Sequence, residues 1–367
     1  MPDSQSKQNS SAPDIPAPKV TLWHQWGVLT FAELNSAVQT AAATEFIIDG
    51  LIPKHSIAVL LGQSGIGKTP LVYQKGLCVA SAIPFLGRAV KQGSVLFVDF
   101  ENGVAQVRDM VQRLAAHLGL SRIPENCHFW NINNCPDGWS STYHIENLVK
   151  DLRPSFVVID SLSGWKPEME RDTEKAIAGL QELRGFSRKY GCTFEMIVHP
   201  RKAPAKESDR PPPLENANIF QHFEMARGAA ALINASDVRL AVDRPALFGL
   251  PQHDGLKQEA ALILRGFRRI EGEIPTIYIT RVIGDDGEPL GYGNMSSVAL
   301  LNNADQIAAF ERLPSEFSFK TATQVYKKAD SPTREFLKKA IAQGLLYQPA
   351  RGRYIKVAVT GADGENG

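Results

Sequence analysis

The hydrophobic positions of the chain follow two alternating rhythms. Short apolar runs end in polar or glycine residues: SIAVLL at 56–61, VLFV within GSVLFVDFENG, FVVI at 156–159 and the run within CTFEMIVHPRK. Between them lie longer stretches with apolar residues at three- and four-residue spacing, among them PLVYQKGLCVASAI after Thr69 and GVAQVRDMVQRLAAHLGL from Gly103. The short runs predict buried strands and the spaced stretches predict helices. Strands and helices alternate from 55 to about 285, the pattern of a mostly parallel sheet covered by helices, so the expected fold class is α/β.

Punctuation divides the rest. Residues 1–20 lack the hydrophobic core of a signal peptide and are expected to be a disordered tail. Residues 21–54 form a lead-in ending in EFIIDGLIPKH, and the main domain is expected over 55–290. Within it, PRKAPAKESDRPPPLENAN at 200–218 is rich in Pro and charge and predicts a mobile loop. A composition shift near 300 opens a small module over 300–358, and 359–367 is expected to be a frayed end. A length of 367 residues, 43% of them hydrophobic and 22% charged, suits one large domain and a small one. The formal net charge of +1 means that any nucleic-acid surface must be local. Cys78, Cys127, Cys135 and Cys192 show no metal-ligand spacing, which predicts reduced thiols in a cytoplasmic protein, and no apolar run approaches the length of a bilayer span.

Candidate chemistry begins at GQSGIGKTP. Gly62, Gly67, Lys68 and Thr69 satisfy G-x-x-x-x-G-K-[ST], in which glycines let backbone N–H groups converge on phosphates, the Lys reaches the terminal phosphates and the Thr hydroxyl binds Mg²⁺. The cofactors expected are ATP and Mg²⁺. Gln63, Ser64, Gly65 and Ile66 complete the cradle, and Pro70 is tolerated in the first turn of the following helix, where N–H groups have no intrahelical partner. Strand, loop and helix in this order direct the positive end of a helix at the phosphates.

Such a site also needs an acid to orient the metal and a group to position the attacking water. Asp160, at the end of FVVID, is expected to hold the metal with Thr69. Glu101 ends a strand expected next to the phosphate-loop strand and is the first choice for the water, with Asp99 deeper on the same face. A third strand ends in His199, Arg201 and Lys202, making His199 a candidate sensor.

The order EFIIDGLIPKHSIAVLLGQSGIGKT, IPFLG, VLFVDFENG, FVVIDSLSG, VHPRK and ARGAAALINASDVRLAV resembles RecA-like ATPases of the hexameric plasmid replicative helicase (RepA) type, over roughly 45 to 285. The resemblance implies a hexameric ring with single-stranded DNA in a central channel, in a replicative helicase of a plasmid, phage or integrated element. It makes Lys68 and Thr69 the phosphate and Mg²⁺ groups, Asp160 the second-motif acid, Glu101 the catalytic carboxylate and His199 a γ-phosphate and DNA sensor. Arg227 becomes a candidate arginine finger reaching into the neighbouring subunit. LRGFRRIEGEIPTIYI offers an alternative in Arg268, beside Arg265 and Arg269. The C-terminal module resembles a winged helix: FSFKTATQVYKKA and DSPTREFLKKAIAQGLL as its helix pair, YQPARGRYIKV as a hairpin wing with Gly352 at the tip. Arg334, Lys338 and Lys339 on the second helix, with Arg351, Arg353 and Lys356 on the wing, would form one basic face for duplex DNA. The competing reading is a DNA-binding regulator or loader that uses ATP as an assembly switch without unwinding.

Overall fold

The computed structural model describes residues 25–356, apart from 26, 41–43, 137–141, 201–213, 215–216, 225, 227–229, 245–260, 271, 285, 295–303, 343–344 and 351. Two compact units divide at residue 44. In the first, helix α1 (Phe31–Thr40) starts with a reciprocal cap. The Thr30 hydroxyl accepts from the Glu33 N–H at 3.3 Å, and the Glu33 carboxylate accepts from the Thr30 N–H at 2.7 Å.

The second unit opens with a hairpin, β1 (Phe46–Ile48) and β2 (Ile52–Pro53). Ile47, Ile48, Leu51 and Ile52 are buried in the same cluster as the main sheet. The end of the expected lead-in at 21–54 is therefore part of the domain core, not a segment before it. The chain continues through β3 (Ile57–Leu61), α2 (Lys68–Ser81), β4 (Val95–Asp99), α3 (Val104–His117), β5 (Cys127–Asn131), α4 (Thr142–Leu152) and β6 (Phe156–Asp160). Next come α5 (Leu162–Trp165), α6 (Thr173–Tyr190), β7 (Thr193–Val198), α7 (Ile219–Phe223), α8 (Ala230–Ala235) and β8 (Val238–Asp243). Strands β9 (Ala261–Arg268), β10 (Gly272–Ile283) and β11 (Pro289–Asn294) complete a sheet of order β11-β10-β9-β8-β3-β7-β6-β4-β5.

From β8 to β5 the pairings are parallel, and β9, β10 and β11 add antiparallel to the β8 side. Strands β3, β4, β6 and β7 are buried along their whole length, because helices cover both faces. Alternation divides the core accordingly. Ala58, Leu60, Val95 and Phe97 face one layer with Leu71 and Leu77 of α2 and Val107 and Val111 of α3. Ile57, Val59, Leu61, Leu96 and Val98 face the other, with Ile145 and Val149 of α4 and Leu180 and Leu183 of α6. This is the RecA-like P-loop NTPase fold: one strand, β7, separates the phosphate-loop strand β3 from the acid strand β6. The expected adjacency of β4 to β3 is incorrect, since β7 and β6 stand between them. Helix-containing connections between successive strands do not reveal that later strands insert between earlier ones.

The C-terminal part has its own order: α9 (Ala304–Arg312), β12 (Glu316–Ser318), α10 (Phe319–Tyr326), α11 (Asp330–Ala342) and the hairpin β13 (Leu346–Ala350) and β14 (Arg353–Lys356). Its sheet runs β12-β14-β13 over a separate core of Phe310, Leu313, Phe317, Tyr326, Phe336 and Leu337. The Ser318 hydroxyl caps α10 by accepting from the Thr321 N–H at 3.2 Å.

Helix α2 carries the phosphate loop and is seated with little tolerance. Tyr73 stacks on Phe97 with ring centroids 4.5 Å apart, and a Cβ on Gly76 would lie 2.3 Å from the Phe97 ring. Lys75 and Glu195, both fully buried, form an ion pair tying α2 to β7. Substituting Gly76→Ala is expected to lower stability by about 1–3 kcal/mol through overpacking, read from the midpoint of urea denaturation. An unchanged midpoint would contradict this packing.

Candidate functional site

The phosphate loop fills the gap between β3 and α2. A Cβ on Gly62 would lie 2.8 Å from the Val242 side chain and carbonyl, so only glycine passes beside β8 there. Gly67, at φ +103, is the N-cap of α2, and no side chain caps that helix start. Pro70 lies in the first turn, as expected. Lys68 is 5% exposed, and its ammonium donates to the carbonyls of Gly62 and Gln63, each at 2.8 Å. Burial lowers its pKa, while the Asp160 and Glu101 carboxylates work in the opposite direction. Open N–H groups, a helix N-terminus and an ammonium in one hollow form an anion site.

Asp160 ends β6 at 1% exposure, and neither carboxylate oxygen has a hydrogen-bond partner. Burial pushes its pKa up to about 7; the Thr69 hydroxyl, nearby but outside full hydrogen-bond geometry, draws it back, and Asp99 and Glu101 add repulsion. An orphaned buried carboxylate beside a hydroxyl is a fitting seat for a divalent cation. Among the described residues no three His, Cys, Asp or Glu side chains could hold a metal by themselves. A Mg²⁺ held by Thr69 and Asp160 would therefore take its remaining ligands from phosphates and water, its usual preference.

Glu101 lies just past β4, and Asp99 fixes the turn that presents it. Asp99 accepts from the N–H groups of Glu101 at 2.9 Å and Asn102 at 2.7 Å, and from the Tyr73 hydroxyl at 2.8 Å. Asp99 is thus committed to backbone and Tyr73, leaving the Glu101 carboxylate at the rim. His199 stands just beyond β7, its Nδ1 3.4 Å from the Lys68 ammonium and its Nε2 3.4 Å from Glu101 Oε1. An ammonium only donates, so Nδ1 accepts and Nε2–H donates to Glu101. His199 and the Ser161 hydroxyl both hold the Glu101 carboxyl below its usual range, against the effect of burial. The fold thus gathers Lys68, Thr69, Asp160, Glu101 and His199 at one end of the parallel strands.

The other expected residues divide. Arg201, Lys202, Arg227 and Arg351 lie outside the described residues, as do most of 200–218. The far end of that loop is not free: Arg265 donates to the carbonyls of Leu214 at 2.6 Å and Ala217 at 2.9 Å, and pairs with Glu273. Arg268 donates to the Gly50 carbonyl and lies over the Phe46 ring, so it is held within its own chain rather than offered to a neighbour. Arg269 donates to the Asn234 carbonyl at 2.6 Å. On the C-terminal part, Arg334 and Lys338 are exposed and Lys339 is half-buried. Arg353 pairs with Glu316 at 2.7 Å and Lys356 donates to the Glu311 carbonyl at 3.3 Å, so the expected basic face is thinner than six cations. Arg281 and Tyr292, which no sequence motif marks, lie against the phosphate loop from β10 and β11.

Residues 29–205 match the model of a family described as an AAA domain. Among solved structures, the chain is similar to a KaiC-like protein from the hyperthermophilic archaeon Pyrococcus horikoshii, at 16% identity over 70% of this chain and 100% of that one, with a TM-score of 0.40. No curated protein matches the chain. No described helix is long and apolar enough to cross a membrane.

The unfolded chain ionises Asp160 near its ordinary pKa of 3.8, whereas the native carboxyl ionises near 7. The residue therefore destabilises the protein increasingly as pH rises between those values, with the full cost above 7. Asp160→Asn is expected to raise the melting temperature of the nucleotide-free protein at pH 8, with the gain fading as pH falls towards 4. Thermal denaturation across pH reads this directly, and no gain at pH 8 would show that the carboxylate is already compensated.

Proposed function

We propose that this P-loop ATPase of the RecA-like type is a ring-forming motor acting on DNA, as in a replicative helicase. One observation carries the reading: the His199 ring spans Lys68 and Glu101, and the next residues enter the 200–218 loop. A change at the terminal phosphate would move His199 and, with it, the root of that loop.

In this reading the cradle from Gly62 to Pro70 binds ATP, with Lys68 against the β- and γ-phosphates. Thr69 and Asp160 would hold Mg²⁺, which would supply charge neutralisation at the phosphates. Glu101, ionised and aimed by the Asp99 turn, accepts a proton from the attacking water or orients it. Arg227 of an adjacent subunit supplies the finger. Engagement of Arg265 and Arg268 within the chain supports that choice over the alternative arginines. Arg201 and Lys202 contact single-stranded DNA in the channel. The helix, strand, helix, helix, hairpin order of 304–356 supports reading that part as a winged helix; exposed Arg334 and Lys338 would meet duplex phosphates there, with Lys339, Arg351 and Arg353 as further contacts.

Lys68→Ala is expected to lose nucleotide affinity and turnover together, whereas Glu101→Gln should bind ATP and lose on the order of 10²–10⁴ in hydrolysis. Single-stranded DNA should stimulate wild-type turnover, and replacing Arg201 and Lys202 by Ala should remove the stimulation while leaving basal hydrolysis. Phosphate release reads the turnover of each variant, and equilibrium binding of a fluorescent ATP analogue reads the affinities. Hydrolysis indifferent to DNA in the wild type would favour the assembly-switch reading, and normal turnover in Glu101→Gln would remove that residue from the mechanism.

A further inference from the structure

A phosphate loop works only if its peptide N–H groups point inward; within the loop, Lys68 holds the Gly62 and Gln63 carbonyls, while those of Ile66 and Gly67 are held from outside it. The outer face of the loop is gripped from the antiparallel strands. The Arg281 guanidinium donates to the Ile66 carbonyl at 2.8 Å, and the Tyr292 hydroxyl donates to the Gly67 carbonyl at 2.8 Å. The Gly67 carbonyl also accepts the first helical bond of α2, from Leu71 at 3.2 Å.

We infer that Arg281 and Tyr292 are positioning residues that aim the phosphate-binding N–H groups of Gly67 and Lys68, an inference that rests on the nucleotide reading above. Both peptides concerned, Ile66–Gly67 and Gly67–Lys68, are trans. In a trans peptide the N–H points opposite to the C=O. Holding the Ile66 carbonyl outward therefore turns the Gly67 N–H into the cradle, and holding the Gly67 carbonyl outward does the same for the Lys68 N–H. A donor on each carbonyl also polarises its peptide and strengthens the N–H on the far side.

The clamp is itself anchored. Gln74 of α2 makes two bonds with the Tyr292 backbone, each at 2.7 Å: its side-chain amide N–H donates to the carbonyl, and its side-chain oxygen accepts from the N–H. His117 of α3 lies 3.1 Å from the same carbonyl, and Arg113 pairs with Asp286 in the turn between β10 and β11 at 2.9 Å. Burial pushes the Tyr292 hydroxyl up to about 12, so it remains a donor. A Cβ on Gly67 would lie 2.2 Å from the Tyr292 hydroxyl and 2.8 Å from the Arg281 guanidinium, so a side chain there would push both donors off the loop. The glycine is thus required by the clamp as well as by the approach of phosphate.

The test compares wild type with Tyr292→Phe, Arg281→Gln and Arg281→Lys in the full-length chain. Affinity is measured with a fluorescent ADP in Mg²⁺, kcat and KM with ATP, and melting temperature with and without ADP. Tyr292→Phe is expected to raise Kd and KM about fivefold and Arg281→Gln about tenfold, as for a lost hydrogen bond and a lost charged one. The kcat should stay within about twofold, since ground and transition states lose alike. Arg281→Lys should recover most of the affinity. Nucleotide-free melting temperatures should stay within about 2 °C of wild type, while the shift on adding ADP shrinks. Wild-type affinity in both Tyr292→Phe and Arg281→Gln would overturn the inference, as would losses that track nucleotide-free stability. A wild type that does not bind the fluorescent ADP would overturn the nucleotide reading itself, and the clamp with it.

Discussion

A buried ammonium must be surrounded by oxygen or nitrogen lone pairs, and most of the site follows from how Lys68 meets that demand. Its head sits between two loop carbonyls and the ring of His199, with the Asp160 and Glu101 carboxylates close enough to favour its charge. The two carbonyls come from the end of β3, and His199, Asp160 and Glu101 from the ends of β7, β6 and β4, so the charge is satisfied where the parallel strands terminate together. Carbonyls are weaker partners for an ammonium than an anion with full negative charge. The arrangement is consequently poised to exchange the Gly62 and Gln63 carbonyls for phosphate oxygens.

The scaffold beneath is rigid where that exchange requires it. Strands β3, β6 and β7 are buried on both faces, and the Lys75–Glu195 pair fastens the phosphate-loop helix to the strand that carries His199. A broken buried pair leaves an uncompensated charge at a cost of about 3–5 kcal/mol, so helix and strand move as one body. On the opposite side, β10 and β11 grip the loop carbonyls. Asp160 is the exception: its two unpartnered oxygens reduce the stability of the nucleotide-free protein, as is common where a site is shaped for a ligand rather than for the empty fold.

The parts legible in the sequence were those whose causes are local. A strand buried on both faces has no polar positions to interrupt it, so SIAVLL and FVVID announce themselves, and the phosphate loop needs its glycines within one short stretch. Period-two alternation placed Asp99 and Glu101 on one face, but only the folded turn shows Asp99 tied to backbone N–H groups and Glu101 left at the rim. Strand order was hidden, because β7 inserts between β3 and β6 from far along the chain. The Arg281 and Tyr292 contacts were invisible for the same reason, being 215 and 225 residues from their partners in sequence. Arg268, the alternative arginine finger in the sequence, serves the Gly50 carbonyl in a hairpin whose two short strands give almost no periodic signal.

We propose that phosphate chemistry at this rim is coupled to movement along DNA through His199. Displacement of a labelled strand from forked DNA tests it most directly, run with ATP and Mg²⁺ over a range of protein concentrations. Displacement should require ATP hydrolysis, rise steeply with protein concentration as a ring assembles, and disappear in His199→Ala although ATP still binds. Robust ATP hydrolysis with no strand displaced at any concentration, or displacement unaffected by His199→Ala, would contradict it.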